Sequence, residues 1–134
     1  MPTDLHHVNI LVHDLDQSVS RYSGLLDGAA PIFEHLAGRG AHTARYFTNG
    51  VWIVLVKPTD SDGLLARHLA EHGEGVFLLS FRVDSLEAAT RDLLARGISV
   101  SAEEPRVGLA NWRVRDLASQ HGSRVMLQIC EERS

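Results

Sequence analysis

His7 is the residue of this 134-residue chain best placed to do chemistry. An imidazole exchanges a proton near neutral pH, so a histidine facing a cavity can act as a general base or orient a ligand. Residues 5–12 alternate as a half-buried strand does, with His7, Asn9 and Leu11 on one face and Val8, Ile10 and Val12 on the other. His6 should then face away from His7, and the two should not be able to grip one ion together. His68 and His72 stand four apart, a spacing that binds metal on a helix, but a solvated helix surface is expected for them. His13, His35, His42 and His121 show no ligand spacing. Asp14 or Asp16 can cap the first helix and Ser85 or Asp84 the one that starts at Leu86, so Asp14 and Asp84 are read as caps and not as catalytic acids. Arg82 and Arg113 are expected at the surface. The lone cysteine, Cys130, reads as a small buried hydrophobe, which fits a reducing compartment and a cytoplasmic setting.

The elements that must carry these residues occur twice. HVNILVHDLDQSV starts at His7 and LLSFRVDSLEAAT starts at Leu78, and each reads as a strand, an acidic turn and a helix. This repeat sets His7 against Leu78. In the first half, Leu15, Val19, Tyr22 and Leu26 recur at helical spacing, and Gly28 closes the helix. Residues 42–48 and 51–56 form a hairpin about Asn49-Gly50, and Pro58 stops its second strand. Residues 64–72 read as a short helix or an irregular excursion. The second half runs through a strand over 76–83 and a helix over 86–95, whose stripe is Leu86, Ala89, Leu93 and Leu94. It continues with a short strand over 98–102 and a hairpin of residues 112–116 and 124–130 turning at 120–123. Leu79, Phe81 and Val83 should pack on the helices, and Leu78, Ser80 and Arg82 should face inward. The expected fold is α+β, with two βαβββ modules (about 5–58 and 76–130) forming a half-open mixed sheet around a cavity in a single domain spanning 1–134.

Composition narrows the function. A net charge of −4 without a basic run argues against nucleic acid as partner. No apolar stretch approaches the length of a membrane span. A small-molecule ligand is the partner that remains. Trp52 shares strand parity with Val54, and Tyr46 lies on the neighbouring strand, so these side chains with Leu78 and Trp112 would make an apolar pocket. Asn9, Ser80 and Gln128 would be its few hydrogen-bonding groups, a mix suited to an organic ligand.

The segments HHVNILVHDLDQSV and GEGVFLLSFRVDSLEAATRDLLARG resemble the vicinal oxygen chelate superfamily, which includes glyoxalase I, bleomycin-resistance proteins, extradiol dioxygenases and methylmalonyl-CoA epimerase. The second segment is similar to the epimerase type. Members that use a divalent ion hold it with four side chains, and the resemblance places those positions at His7, Val54, Leu78 and Gln128. Two of these are hydrocarbon, and Gln128 is a weak neutral donor, so the resemblance implies a degenerate metal site with no cofactor. If any metal were bound, His7 and Gln128 would be its ligands. The resemblance also implies a homodimer.

Three functions follow as expectations. The first is a metal-independent isomerase, cyclase or lyase that acts on a small, largely apolar molecule with His7 as acid–base. The second is a non-catalytic sequestering protein of the bleomycin-resistance type. The third is a metal-dependent epimerase or lactoylglutathione lyase-like enzyme.

Overall fold

The computed structural model of the chain describes residues 4–118, 120 and 122–132, so His121 lies outside the described residues. Eight strands and three helices occur in the order β1 (Asp4–Leu11), α1 (Leu15–Leu25), β2 (Ile32–Leu36), β3 (Ala41–Thr48), β4 (Val51–Pro58), α2 (Leu64–His72), β5 (Gly75–Arg82), α3 (Leu86–Ala95), β6 (Arg106–Val107), β7 (Arg113–Asp116) and β8 (Met126–Glu131). The class is α+β, as the sequence pattern requires.

Two compact units divide the chain, one of Val8–Phe77 and one that joins Met1–His7 to Leu78–Ser134. In the Val8–Phe77 unit, β2, β3 and β4 form an antiparallel run, and Asn49 and Gly50 turn the β3–β4 hairpin with φ of 49° and 88°. Both residues of such a turn need positive φ, which Asn-Gly supplies at low steric cost. Asp14 caps α1 by accepting a hydrogen bond from the Gln17 amide at 3.0 Å. Ile10, Leu15, Val19, Tyr22 and Leu26 pack on a core of Val12, Ala44, Tyr46 and Leu55. Tyr46 thus belongs to the helix side of the strands, which corrects the expectation that it lines a pocket with Trp52. Its partner across the hairpin is Ile53, whereas Trp52 pairs with Phe47 and Val54 with Arg45. Directly paired residues share a face, so Tyr46 and Trp52 face opposite ways.

In the other unit β5 runs parallel to β8, and β8 is antiparallel to β7 and β7 to β6. Ser85 caps α3, accepting from the Ala88 amide at 3.1 Å. Val83, Leu86, Ala89, Leu93 and Ile129 form the core beneath that helix, joined by Val100 and Leu117. Leu94, expected in the buried stripe, is exposed. Residues 98–102 do not form a strand. Val100 makes a single bridge to Leu117, and the Ser101 hydroxyl then accepts from the Glu103 amide in a local turn. The strand that completes this unit is β6. In the first module, β2 had no clear signature, because Ile32 and Phe33 are adjacent and both exposed at an edge.

Candidate active site

Strand register in the Leu78–Ser134 unit gathers one set of side chains on the face turned away from α3. Leu78, Ser80 and Arg82 of β5 lie beside Met126, Gln128 and Cys130 of β8, and Cys130 and Gln128 pair with Val114 and Asp116 of β7. Arg106 holds Asp116 through both guanidinium arms at 2.8 and 3.3 Å. Asp116 in turn accepts the Gln128 amide Nε2 at 3.0 Å. That bond fixes the amide orientation and leaves Gln128 Oε1 as an acceptor. Among the described residues, neither Gln128 Oε1 nor Ser80 Oγ has a hydrogen-bond partner, and both are buried. Buried polar atoms without partners are uncommon and point to a ligand or water.

His6, His7 and Trp112 belong to the same unit, and all three are buried. The Trp112 indole stacks on His7 with centroids 4.9 Å apart and planes 24° from parallel, and it meets His6 edge-on at 4.6 Å. Two consecutive residues in the left-handed region, Ala110 (φ 49°) and Asn111 (φ 61°), lead into Trp112. Alanine adopts that conformation at a cost of about 1–2 kcal/mol, and such strain tends to collect at functional sites.

The two histidines do not point apart, contrary to strand alternation. Their Nδ1 atoms lie 2.8 Å from each other, and Nε2 of His6 reaches the Glu132 carboxylate at 3.0 Å. The side chains curl round the strand far enough to meet through the ring nitrogens nearest the backbone. Tautomers follow from this chain of contacts. An ionised carboxylate only accepts, so His6 Nε2 carries a proton. Burial lowers the His6 pKa, partly opposed by Glu132, so the ring is neutral near pH 7 and its Nδ1 is a bare acceptor. The proton between the two Nδ1 atoms must come from His7, and Nε2 of His7 is left with a free lone pair. Among the described residues none hydrogen-bonds that atom. Burial pushes the His7 pKa down to about 3, helped by the neighbouring His6.

The Cys130 sulfur lies within 4.8 Å of ring nitrogens of both histidines. Three such donors could meet a soft transition metal. The two Nδ1 atoms stand at hydrogen-bond distance from each other, and burial pushes the Cys130 thiol up to about 12.

In the Val8–Phe77 unit, Val54 is fully buried and Trp52 half-buried, and Asn9 Oδ1 is buried without a partner. The same face carries two charged groups that sequence reasoning missed. Arg45, only 8 % exposed, pairs with Glu34 at 2.7 Å and lies 5.4 Å from the centre of the Trp52 ring. Strand parity was the available signal, since Arg45 faces Val54 across the hairpin. Glu132 and Asp116 were also missed, and no periodicity marks them. Arg113 is not a free surface cation, since it pairs with Glu131 at 3.0 Å and Glu87 at 3.6 Å. His68 is only partly solvated, with both ring nitrogens buried and the ring against Phe77.

The sequence profile of the glyoxalase/bleomycin resistance protein/dioxygenase superfamily matches residues 6–115, and the chain belongs to that superfamily. Solved structures agree. Methylmalonyl-CoA epimerase from Mycobacterium tuberculosis is 29% identical, with a TM-score of 0.83 over 99% of this chain and 90% of that one. A variant of the Streptomyces coelicolor epimerase in complex with 2-nitronate-propionyl-CoA is 25% identical, with a TM-score of 0.85 and full coverage of both chains (100%). A methylmalonyl-CoA epimerase in complex with methylmalonyl-CoA and NH4+ is also 25% identical, at TM-score 0.86 over 100% of this chain and 97% of that one. No curated protein sequence matches the chain. The donor set does not fit the divalent ion that the superfamily resemblance implies. Val54 and Leu78 offer no lone pair, and Gln128 offers only its neutral amide oxygen. Among the described residues, no helix is long and apolar enough to cross a membrane.

Proposed function

We propose that this protein is a metal-independent enzyme of the glyoxalase fold that moves a proton on a small, largely apolar organic molecule, as an isomerase or lyase, with His7 Nε2 as the base. The observation that carries this reading is the uncommitted Nε2 lone pair of a buried neutral imidazole, in a unit that also buries Ser80 Oγ and Gln128 Oε1 without hydrogen-bond partners among the described residues. Ser80 can donate to a carbonyl oxygen of the ligand, and Gln128 can accept from a ligand O–H or N–H. Together they would hold a carbonyl compound while His7 takes the adjacent proton. Methylmalonyl-CoA epimerases among the structural neighbours make a proton shift beside a carbonyl the reaction to test first. In the unit that holds His7, the buried Trp112 and Leu78 are the proposed apolar surfaces for the ligand. The active form is proposed to be a cytoplasmic homodimer, which a molar mass of twice 14.8 kDa in solution would support.

The test is deuterium uptake from heavy water into methylmalonyl-CoA and a panel of simple ketones and thioesters, followed by mass spectrometry. Wild-type protein should catalyse uptake into at least one of them with EDTA present. His7→Ala should lose about 10²–10⁴-fold of that rate, the usual contribution of a positioned base. Exchange that needs added divalent metal would overturn metal independence. Tight binding of a probe with no exchange in any would favour the ligand-sequestering protein instead.

A further inference from the structure

A buried imidazole that takes a proton from a ligand must hold a positive charge in poorly solvated surroundings. The structure supplies a remedy. We propose that His6 and Glu132 form a proton relay with His7, so that the charge created when His7 takes a proton ends up on His6 beside the Glu132 carboxylate. This rests on the reading of His7 as the base.

The atoms balance along the chain of contacts. In the resting state His7 Nδ1–H donates to His6 Nδ1, and His6 Nε2–H donates to Glu132. When a ligand C–H bond breaks, its electron pair stays on the ligand and its proton bonds to His7 Nε2. The Nδ1 proton of His7 crosses the 2.8 Å to His6 Nδ1. His7 is then neutral again in its other tautomer, and His6 is an imidazolium held by Glu132. The same heavy-atom positions serve both states, because the Nδ1···Nδ1 contact needs one proton and either ring can supply it. The benefit is electrostatic. Glu132 is 44% exposed, so the positive charge comes to rest against an anion in contact with water and not in the apolar surroundings of His7. Arg82 opposes the charge on His6, Glu132 favours it, and the Cys130 thiol and Trp112 indole are neutral. His6 and Glu132 touch no ligand in this scheme. They are positioning residues that act through His7.

Nitrogen-15 NMR of the full chain tests this without a substrate. At neutral pH the wild type should show a through-hydrogen-bond coupling between the two Nδ1 atoms, with the proton on His7 and a bare Nε2. Mild acid should give His6 protonated at both nitrogens, and His7 should switch to the Nε2–H tautomer in the same step. In Glu132→Leu, His6 loses the acceptor that fixes its tautomer, and an Nε2–H form of His7 should appear already at neutral pH. A wild-type His7 found as Nε2–H at neutral pH, an absent coupling, or a His7 tautomer indifferent to both acid and Glu132→Leu would each overturn the relay. Failure of the base reading is read separately. If His7→Ala exchanges deuterium as fast as wild type while the tautomer switch is present, the relay exists and His7 is not the base.

Discussion

Trp112 stacks its indole on the His7 imidazole, with ring centroids 4.9 Å apart. A flat apolar surface over one face of the ring excludes water, which leaves the imidazolium poorly solvated and holds His7 neutral.

An acid-sensitive stability follows from that arrangement. The His7 pKa is about 3 in the folded chain against 6.5 when unfolded. Between those values the unfolded state binds a proton that the folded state does not, so stability falls as pH is lowered from 6.5 towards 3. One such group contributes a slope of up to about 1.4 kcal/mol per pH unit. Above pH 6.5 its contribution is constant. Urea melts of His7→Gln at pH 7, 6, 5 and 4 should be flatter with pH than wild type by an appreciable part of that slope. Parallel pH profiles for the two proteins would show that His7 is protonated in the folded chain.

Metal removal should change little. Purified protein is expected to hold well under one equivalent of divalent metal by elemental analysis, and its melting temperature should be the same with and without EDTA. A stoichiometric ion lost together with several degrees of stability would mean that His7 is a ligand.

Cys130 should be inert in the native state. It is fully buried, and its thiol is pushed up to about 12 by that burial. Thiolate is the reactive form, so a disulfide reagent at pH 8 should label the thiol only after denaturant is added. Rapid labelling of native protein would place the sulfur in contact with solvent.

Tyr46 and Trp52 should separate stability from binding. The Tyr46 hydroxyl bonds Ser23 at 2.8 Å and the Val19 carbonyl at 3.2 Å, on the α1 side. Tyr46→Phe should therefore cost about 1 kcal/mol of stability and leave ligand affinity and deuterium exchange unchanged. Trp52→Ala, on the opposite face, should weaken ligand binding beyond what its loss of stability explains. Equal effects on binding from the two variants would contradict the strand register.

Much of the architecture is a direct reading of local pattern. Helical spacing sets α1 and α3, Asp14 and Ser85 mark their starts through side-chain bonds to backbone amides, and Asn49-Gly50 marks the hairpin. These features depend on near neighbours in the chain, so a single sequence contains them. The repeat likewise places Leu78 opposite His7 without any coordinates. Tertiary structure decided the rest. Residues 98–102 do not extend into a strand: the Val100–Leu117 bridge, flanked by the backbone bonds of Ser101 to Asp116 and of Ala118 to Ser99, stops after one pair, and that pairing is not encoded in the five residues themselves. Tyr46 faces α1 because the β3–β4 register pairs it with Ile53 and not with Trp52, and its hydroxyl is satisfied there by Ser23 and Val19. Strand periodicity says where Cβ atoms point and says nothing of where a ring nitrogen ends. The meeting of His6 with His7, and of His6 with a glutamate 126 positions later, depends on side-chain torsions and on the strands that bring Glu132 alongside. Sequence thus singled out the His7 imidazole, and the packed chain determined which of its nitrogens is left without a partner among the described residues.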